Sequence, residues 1–162
     1  LYVRDSVTGL YNRMGYQKLS ISYFTIMREK KMPVLVMFID LDRLKYINDT
    51  FGHEYGDFAI ISIAKAMLKH CDADAIAART GGDEFIVLEG AKDEESGRVL
   101  AQKIRTELSK TQRAMQLPFD LSASIGAVVA HPGEENVLES YVKRAEMLMY
   151  EEKAEKKVSR DS

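Results

Sequence analysis

The stretch of sequence that decides the fold is residues 75–89, which read AIAARTGGDEFIVLE. Two short apolar runs flank Thr80-Gly81-Gly82-Asp83, and this pattern predicts strands at 75–79 and 84–89 joined as a hairpin. Glycine has no Cβ, so the paired glycines would let a bulky anion lie close to the backbone. The turn ends in two adjacent carboxylates, which repel each other unless a cation lies between them. This stretch therefore favours a nucleoside triphosphate bound together with Mg2+.

A second acidic cluster lies upstream, at Asp40-Leu41-Asp42. The six apolar residues before it, 34–39, are too short a run for a helix and predict a strand that is buried on both faces. Because side chains alternate along a strand, the two aspartates should lie on the same side of the chain. If the hairpin pairs with this strand, Asp40, Asp83 and Glu84 converge, and carboxylates with a peptide carbonyl form a ligand set that suits Mg2+. Asp40 or Asp83 taken alone is explained better by a turn or a solvated charge, but that explanation fits the three acids together poorly.

Three blocks of the sequence resemble one known family. Residues 81–85 read GGDEF, a signature that would arise by chance at a given position about once in a million. Residues 5–13, DSVTGLYNR, are similar to the family's opening D-x-L-T-G-L-x-N-R, with Val7 at the usual leucine. Residues 40–57, DLDRLKYINDTFGHEYGD, are similar to D-x-D-x-F-K-x-I-N-D-x-x-G-H-x-x-G-D, with Leu44 at the usual phenylalanine. The chain thus resembles a GGDEF domain, the catalytic domain of diguanylate cyclases, which condense two GTP into cyclic di-GMP.

The resemblance continues to the end of the chain, with two departures. Residues 124–126 match the family's S-I-G strand, and residues 144–153 resemble R-A-D-x-x-L-Y-x-A-K. Lys157 stands where members usually carry an arginine, which replaces a bidentate group by a point charge. Residues 72–75 read DADA where many members carry R-x-x-D, a product-inhibition site. The local charge is negative there, so we expect no tight inhibition by cyclic di-GMP.

The resemblance implies a metal-dependent reaction. Asp40, the backbone carbonyl of Leu41, Asp83 and Glu84 would hold two Mg2+ ions, with Mn2+ as an alternative. The ribose 3′-OH of one GTP would attack the α-phosphate of the other, and pyrophosphate would leave. Either Asp83 or Glu84 would accept the proton, and Lys45 would stabilise the charge that develops on the phosphate.

The resemblance also assigns residues to GTP binding: Leu44, Asn48, His53, Asp57, Gly81, Gly82, Lys153 and Lys157. A carboxylate can accept hydrogen bonds from guanine N1–H and its exocyclic amine, a donor pair that adenine lacks, so Asp57 favours GTP over ATP. Taken alone, Asp57 is better explained as the cap of a helix that begins after Gly56. His53 is equally compatible with a structural role in its loop. Lys153 and Lys157 would reach the outer phosphates. Asp42 is as compatible with supporting the site as with no role in it.

Composition bounds the remaining possibilities. The 162 residues carry a net charge of −2, with 30% charged and 46% hydrophobic residues, which suits one compact domain without a basic field for nucleic acid. The lone Cys71 excludes an internal disulfide and fits a reducing compartment. No apolar stretch reaches the roughly 18 residues of a membrane span.

Apolar spacing predicts alternating helices and strands. The helices are 14–30, one that begins after Gly56-Asp57, one through 100–108 and one through 138–153. The strands are 34–39, 75–79, 84–89 and about 119–130. These elements predict an α/β fold, an α+β sandwich with a mixed central β-sheet flanked by helices. The resemblance sharpens this to the palm-like fold of nucleotide cyclases.

The resemblance implies further partners. Each domain would bind one GTP, so catalysis would need a homodimer of domains that face each other across the substrates. Residues 1–162 would form a single GGDEF domain of a longer signalling protein, with a sensory or dimerisation domain upstream. We expect a cytoplasmic location, either alone or as the cytoplasmic part of a membrane-bound protein.

Three alternatives stay open from the sequence. They are a catalytically silent module that binds GTP or a cyclic dinucleotide, a cyclase of altered specificity, and a purely structural interaction domain. The intact signature, together with Asp40 and Lys45, favours the cyclase.

Overall fold

The structure is a computed structural model that describes residues 2–161. The elements in this range are α1 (Arg13–Glu29), β1 (Val34–Leu41), α2 (Leu44–Phe51), α3 (His53–His70), β2 (Ile76–Arg79), β3 (Glu84–Gly90), α4 (Ser96–Ala114), β4 (Ala123–Ala130) and α5 (Leu138–Asp161). The four strands form one sheet in the order β2-β3-β1-β4, so β1 has a neighbour on each side. None of the helices in the described range is long and apolar enough to cross a membrane.

The ladders of this sheet are antiparallel, whereas the sequence predicted a mixed sheet. β1 and β2 run in the same direction, but the hairpin places β3 between them, so they do not pair. Parallel pairing within residues 2–161 is limited to an isolated bridge between Tyr11 and Ala78. The predicted fold class, a central sheet flanked by helices, is confirmed, with its strand pairing corrected to antiparallel.

Side-chain alternation along β1 divides the core into two layers. Met37 and Ile39 pack in the layer that contains α2, α3 and α4. Val36 and Phe38 pack in the layer that contains α1 and α5. Burying each such side chain contributes roughly 2 kcal/mol to the stability of the folded state, so packing on both faces stabilises the sheet. Asp40 lies two residues after Phe38, so its side chain lies on the same face of the sheet, which α5 covers.

The segment between β1 and β2 differs most from the prediction. It forms two helices, where the sequence predicted one that begins after Gly56-Asp57. Gly52 separates them at a φ of 99°, a conformation that favours glycine. α2 has eight residues and buries Ile47, so its apolar pattern is too short to identify from sequence. Because α3 begins at His53, Asp57 lies inside the helix, and the interpretation of Asp57 as a helix cap is wrong.

Some backbone groups of each outer strand have hydrogen-bond partners outside the sheet. The backbone of Tyr11 forms hydrogen bonds with β2 in both directions, at 3.1 and 2.8 Å. On the β4 side, Glu152 Oε1 accepts a hydrogen bond from the Ile125 amide at 3.1 Å. Lys156 Nζ donates to the carbonyl of Ala123 at 2.8 Å. These contacts fix the position of α5 along its axis relative to the sheet.

Candidate active site

Two neighbouring strands bring three carboxylates together at one end of the sheet. Asp40 lies opposite Glu84 in the register of β1 and β3. The Leu41 amide donates a hydrogen bond to the carbonyl of Asp83 at 2.9 Å. One carboxylate oxygen from each of Asp40, Asp83 and Glu84 lies within 4.8 Å of the others. The predicted convergence of these acids is confirmed, and it follows from the pairing of the hairpin with β1.

Asp40 is the most buried acid of this cluster, with 5% of its surface exposed. Burial raises the pKa of its carboxyl to about 7; Lys153 opposes this rise, and the charge of Asp83 adds to it. Burial also raises the pKa of Glu84, with further contributions from Asp83 and Glu146. A cation bound among these acids would favour their ionised forms and would lower their pKa values.

The donor set fits a divalent metal. Asp40 Oδ1 is buried and receives no hydrogen bond within the described residues, although the Lys153 ammonium lies 3.2 Å away. Asp83 and Glu84 are half-buried, so their oxygens can meet both a metal and an incoming ligand. Carboxylate oxygens at this spacing suit Mg2+, which takes its other ligands from water and phosphate.

Asp42, two residues beyond Asp40, has a different environment. It is 5% exposed and accepts hydrogen bonds at 2.7 Å from each of Ser122, Ser124 and Lys156. Burial alone would raise the pKa of Asp42, but these hydrogen bonds outweigh it and lower the pKa. Its oxygens are therefore already committed to protein donors, and Asp42 supports the site without being a good metal ligand.

The glycine turn is braced from two sides. Arg79 donates to the carbonyl of Gly82 from Nε at 3.1 Å and from Nη2 at 2.8 Å. Arg79 also forms an ion pair with Asp5 at 3.2 Å, which connects the N-terminal motif to the signature turn. Arg13 donates to the carbonyl of Thr80 at 2.5 Å. The turn is thus held through its carbonyl groups.

The two signature glycines do not use the left-handed backbone region, which is reached by Gly9 and Gly52 instead. A Cβ added at Gly82 would meet no protein atom within 4 Å. At Gly81 it would come within 3.0 Å of Glu84 Oε2. The backbone of the turn therefore does not require glycine at position 82. The open surface that glycine leaves there for a ligand is a better explanation of this residue.

The predicted guanine-binding residues follow β1 on α2 and the start of α3. Asn48 is half-buried, and its side chain lies so close to Gly56 that a Cβ there would collide with it. Lys45, His53 and Asp57 are exposed. Leu44 is half-buried and packs against the hydrophobic core. Their roles in binding GTP stay predictions.

The last helix supplies the cations. Lys153 reaches Asp40 at 3.2 Å and Asp42 at 3.4 Å, contacts that the sequence did not predict. Lys156 reaches Asp42 at 2.7 Å, whereas Lys157 is exposed on the same helix. Contact of Lys153 and Lys157 with phosphate stays a prediction.

Sequence reasoning missed several residues that surround the acids. Glu146 and Tyr150 of α5 lie close enough to influence them: burial, then Glu146 and Glu84, raise the pKa of Tyr150. The spacing of positions 146, 150 and 153 on one helix places all three on one face, and this signal could have identified them. Arg79 and Arg13 had no such signal, because both contact the turn through backbone carbonyls, and the acidic partner of Arg79, Asp5, lies 74 residues away in sequence.

Comparison with known proteins agrees with this geometry. Residues 2–159 match the family model described as diguanylate cyclase, GGDEF domain. The chain therefore belongs to the GGDEF family.

Two relatives indicate the range of activities in which the domain occurs. The diguanylate cyclase VdcA of Vibrio cholerae is 34% identical over 153 residues, which cover 92% of this chain and 43% of VdcA. The cyclic di-GMP phosphodiesterase PdeR of Escherichia coli is 32% identical over 146 residues, which cover 90% of this chain and 22% of PdeR. The chain thus spans less than half of either relative.

A solved structure supports the fold. The active GGEEF domain of a diguanylate cyclase from Vibrio cholerae has a TM-score of 0.73 and 25% sequence identity to this chain. The match covers 86% of this chain and 88% of that chain.

Proposed function

We propose that this chain is a diguanylate cyclase, which condenses two GTP into cyclic di-GMP and releases two pyrophosphates. The observation that carries the proposal is the convergence of Asp40, Asp83 and Glu84 within 4.8 Å, beside the glycine turn. The likeness to VdcA, at 34% identity, supports the same activity.

Four groups would hold the metal ions. Asp40, the carbonyl of Leu41, Asp83 and Glu84 would bind two Mg2+ or Mn2+ ions, which would neutralise phosphate charge and lower the pKa of the attacking hydroxyl. The open surface at Gly82 would admit the phosphates against the backbone.

The chain's own side chains then perform the proton transfer and stabilise charge. Asp83 or Glu84 accepts the proton of the 3′-OH, since both acids lie at the turn where the nucleotide would bind. Lys45 stabilises the negative charge on the α-phosphate as the new bond forms. Lys153 and Lys157 hold the outer phosphates until pyrophosphate leaves.

Specificity for guanine would come from α2 and α3. Asp57 accepts hydrogen bonds from N1–H and the exocyclic amine, and Asn48 completes the contact. Leu44 and His53 line the same region. An ATP molecule would leave the Asp57 carboxylate without donors, so we expect GTP to be the substrate.

Bond formation needs two such domains. Each half-site presents one GTP, and the 3′-OH of each must reach the α-phosphate of the other, so a homodimer is required for turnover. The same activity implies a cytoplasmic location, where GTP is available.

A second candidate is a regulatory module that binds GTP or a cyclic dinucleotide without turnover. The likeness to PdeR favours it, because that relative is a phosphodiesterase and this chain covers only 22% of its length.

The test mixes concentrated protein with GTP and Mg2+ and separates the nucleotides by chromatography. Parent protein should make cyclic di-GMP, and Asp83→Ala should make none. A coiled coil fused upstream supplies the dimer if the parent is slow, because it raises the effective concentration of the second domain. If the fused dimer binds GTP but forms no product, the regulatory module replaces the cyclase.

A further inference from the structure

The ammonium group of Lys153 lies beside the carboxylate that a metal would bind. Its Nζ atom is 3.2 Å from Asp40 Oδ1 and 3.4 Å from Asp42 Oδ1. The same Asp40 carboxylate belongs to the cluster whose candidate ligand atoms lie within 4.8 Å of one another. A lysine and a divalent ion are therefore candidates for one carboxylate.

Lys153 is held in this position by its surroundings. Asp42, its second partner, is fixed by Ser122 and Ser124 at 2.7 Å each. The helix that carries Lys153 lies directly against Gly126 of β4, where a Cβ would collide with the helix backbone. The lysine side chain is 29% exposed, so it has room to turn outward. Its contacts given for the described residues are with Asp40 and Asp42, and both hold it at the site.

Like charges repel, so the Lys153 ammonium and a divalent metal ion at Asp40 would each weaken the binding of the other. We propose that Lys153 and the divalent metal compete for Asp40, so that the metal binds only when Lys153 turns away. This inference rests on the metal site of the proposed function. Before nucleotide binds, Lys153 keeps the metal affinity of the free domain low.

The competition couples the two ligands. A triphosphate offers the displaced ammonium a new anionic partner, so nucleotide binding removes the competitor of the metal. By thermodynamic linkage, the metal must raise nucleotide affinity by the same factor. The site would therefore fill with metal and nucleotide together rather than with metal alone.

The test measures Mg2+ affinity without nucleotide, by isothermal titration calorimetry at pH 8.5, where protons compete less for the acids. Lys153→Met should bind Mg2+ at least about fivefold more tightly than the parent. Lys143→Met is the matched control: it removes one exposed lysine from the same helix, about 15 Å away at 1.5 Å per residue, and should bind as the parent does. Circular dichroism checks that each variant folds, and Lys153→Gln repeats the measurement with a polar side chain.

The outcomes separate this inference from the proposed function. Equal or weaker Mg2+ binding by both Lys153 variants, with binding by the parent that Asp40→Asn abolishes, overturns the competition and leaves the metal site intact. Absence of Mg2+ binding without GTP in the parent and in both Lys153 variants, with binding when GTP is present, overturns the competition and leaves the metal site. Absence of Mg2+ binding in all three proteins with GTP as well overturns the metal site, and the competition with it.

Discussion

Asp5 forms an ion pair with Arg79 at 3.2 Å across 74 residues of sequence, and Arg79 in turn holds the carbonyl of Gly82. Both side chains are less than one fifth exposed. Hydrogen bonds from Thr8 and Arg79 outweigh burial and hold the pKa of Asp5 below its usual range. The N-terminal motif is therefore part of the active-site scaffold, although it contributes no residue to the acid cluster.

Removing this ion pair should loosen the signature turn. Asp5→Ala leaves Arg79 without its carboxylate partner in a mostly buried place, and we expect a loss of about 1–3 kcal/mol of unfolding free energy. Urea denaturation measures the loss, and cyclic di-GMP production should fall with it. Glu135→Ala, which removes an exposed acid, should change neither quantity. Equal stability of the two variants would contradict the bracing role.

Gly82→Ala should separate folding from function. An added Cβ meets no protein atom within 4 Å and the backbone is not left-handed, so stability should stay unchanged or rise by up to about 1 kcal/mol. The new methyl group would fill space proposed for phosphate, so GTP turnover should fall by about tenfold or more. Gly133→Ala, at an equally open position, should leave turnover at the parent level. Loss of stability in Gly82→Ala would show that the turn needs this glycine for its own backbone.

Stability without added metal should depend on Asp40. Its pKa is about 7 in the folded protein against 3.8 ordinarily, so the folded state binds the proton more tightly. The contribution of Asp40 to unfolding free energy therefore decreases as pH rises from about 4 to about 7 and is constant above that. We expect the melting temperature of the parent to fall by on the order of 5 °C from pH 5.5 to pH 8. Asp40→Asn should show a smaller decrease, and Mg2+ at pH 8 should stabilise the parent but not this variant.

Cyclic di-GMP should bind weakly at residues 72–75. Glu89 accepts a hydrogen bond from the Asp72 amide at 2.9 Å, and Asp72 and Asp74 both contribute to raising the pKa of Glu89, after burial. The region therefore repels an anionic product. Isothermal titration should give no submicromolar affinity, and a double variant, Asp72→Arg with Ala75→Asp, should bind more tightly. Submicromolar binding by the parent would contradict this.

The sequence predicted the acid cluster well because local patterns place each acid at the end of a strand, and the pairing of β1 with β3 then brings them together. A two-strand hairpin fixes its own register, and alternation along β1 fixes the side on which Asp40 lies. Once β3 pairs with β1, Asp40 meets Glu84 without further information.

The lysine contacts depend on a non-local quantity, the rotation of α5 against the sheet. Lys156 and Lys157 are adjacent in sequence, and a rotation of about 100° exchanges them. The rotation is set by Gly126, which lets the helix backbone approach β4, and by Glu152, which bonds to Ile125. Neither contact has a sequence signal, so the pairing of Lys156 with Asp42 could not be predicted.

The contacts of Glu152 and Lys156 with β4 also bear on solubility. An outer strand with unpaired backbone groups is a template on which another chain can add a strand, and such addition leads to aggregation. Here the side chains of α5 satisfy the Ile125 amide and the Ala123 carbonyl, and the Tyr11 segment does the same for β2. The homodimer of the proposed function would bring two copies together repeatedly, and each encounter would carry this hazard. These contacts leave fewer free backbone groups on the two outer strands, so they reduce the tendency of a second copy to add a strand there.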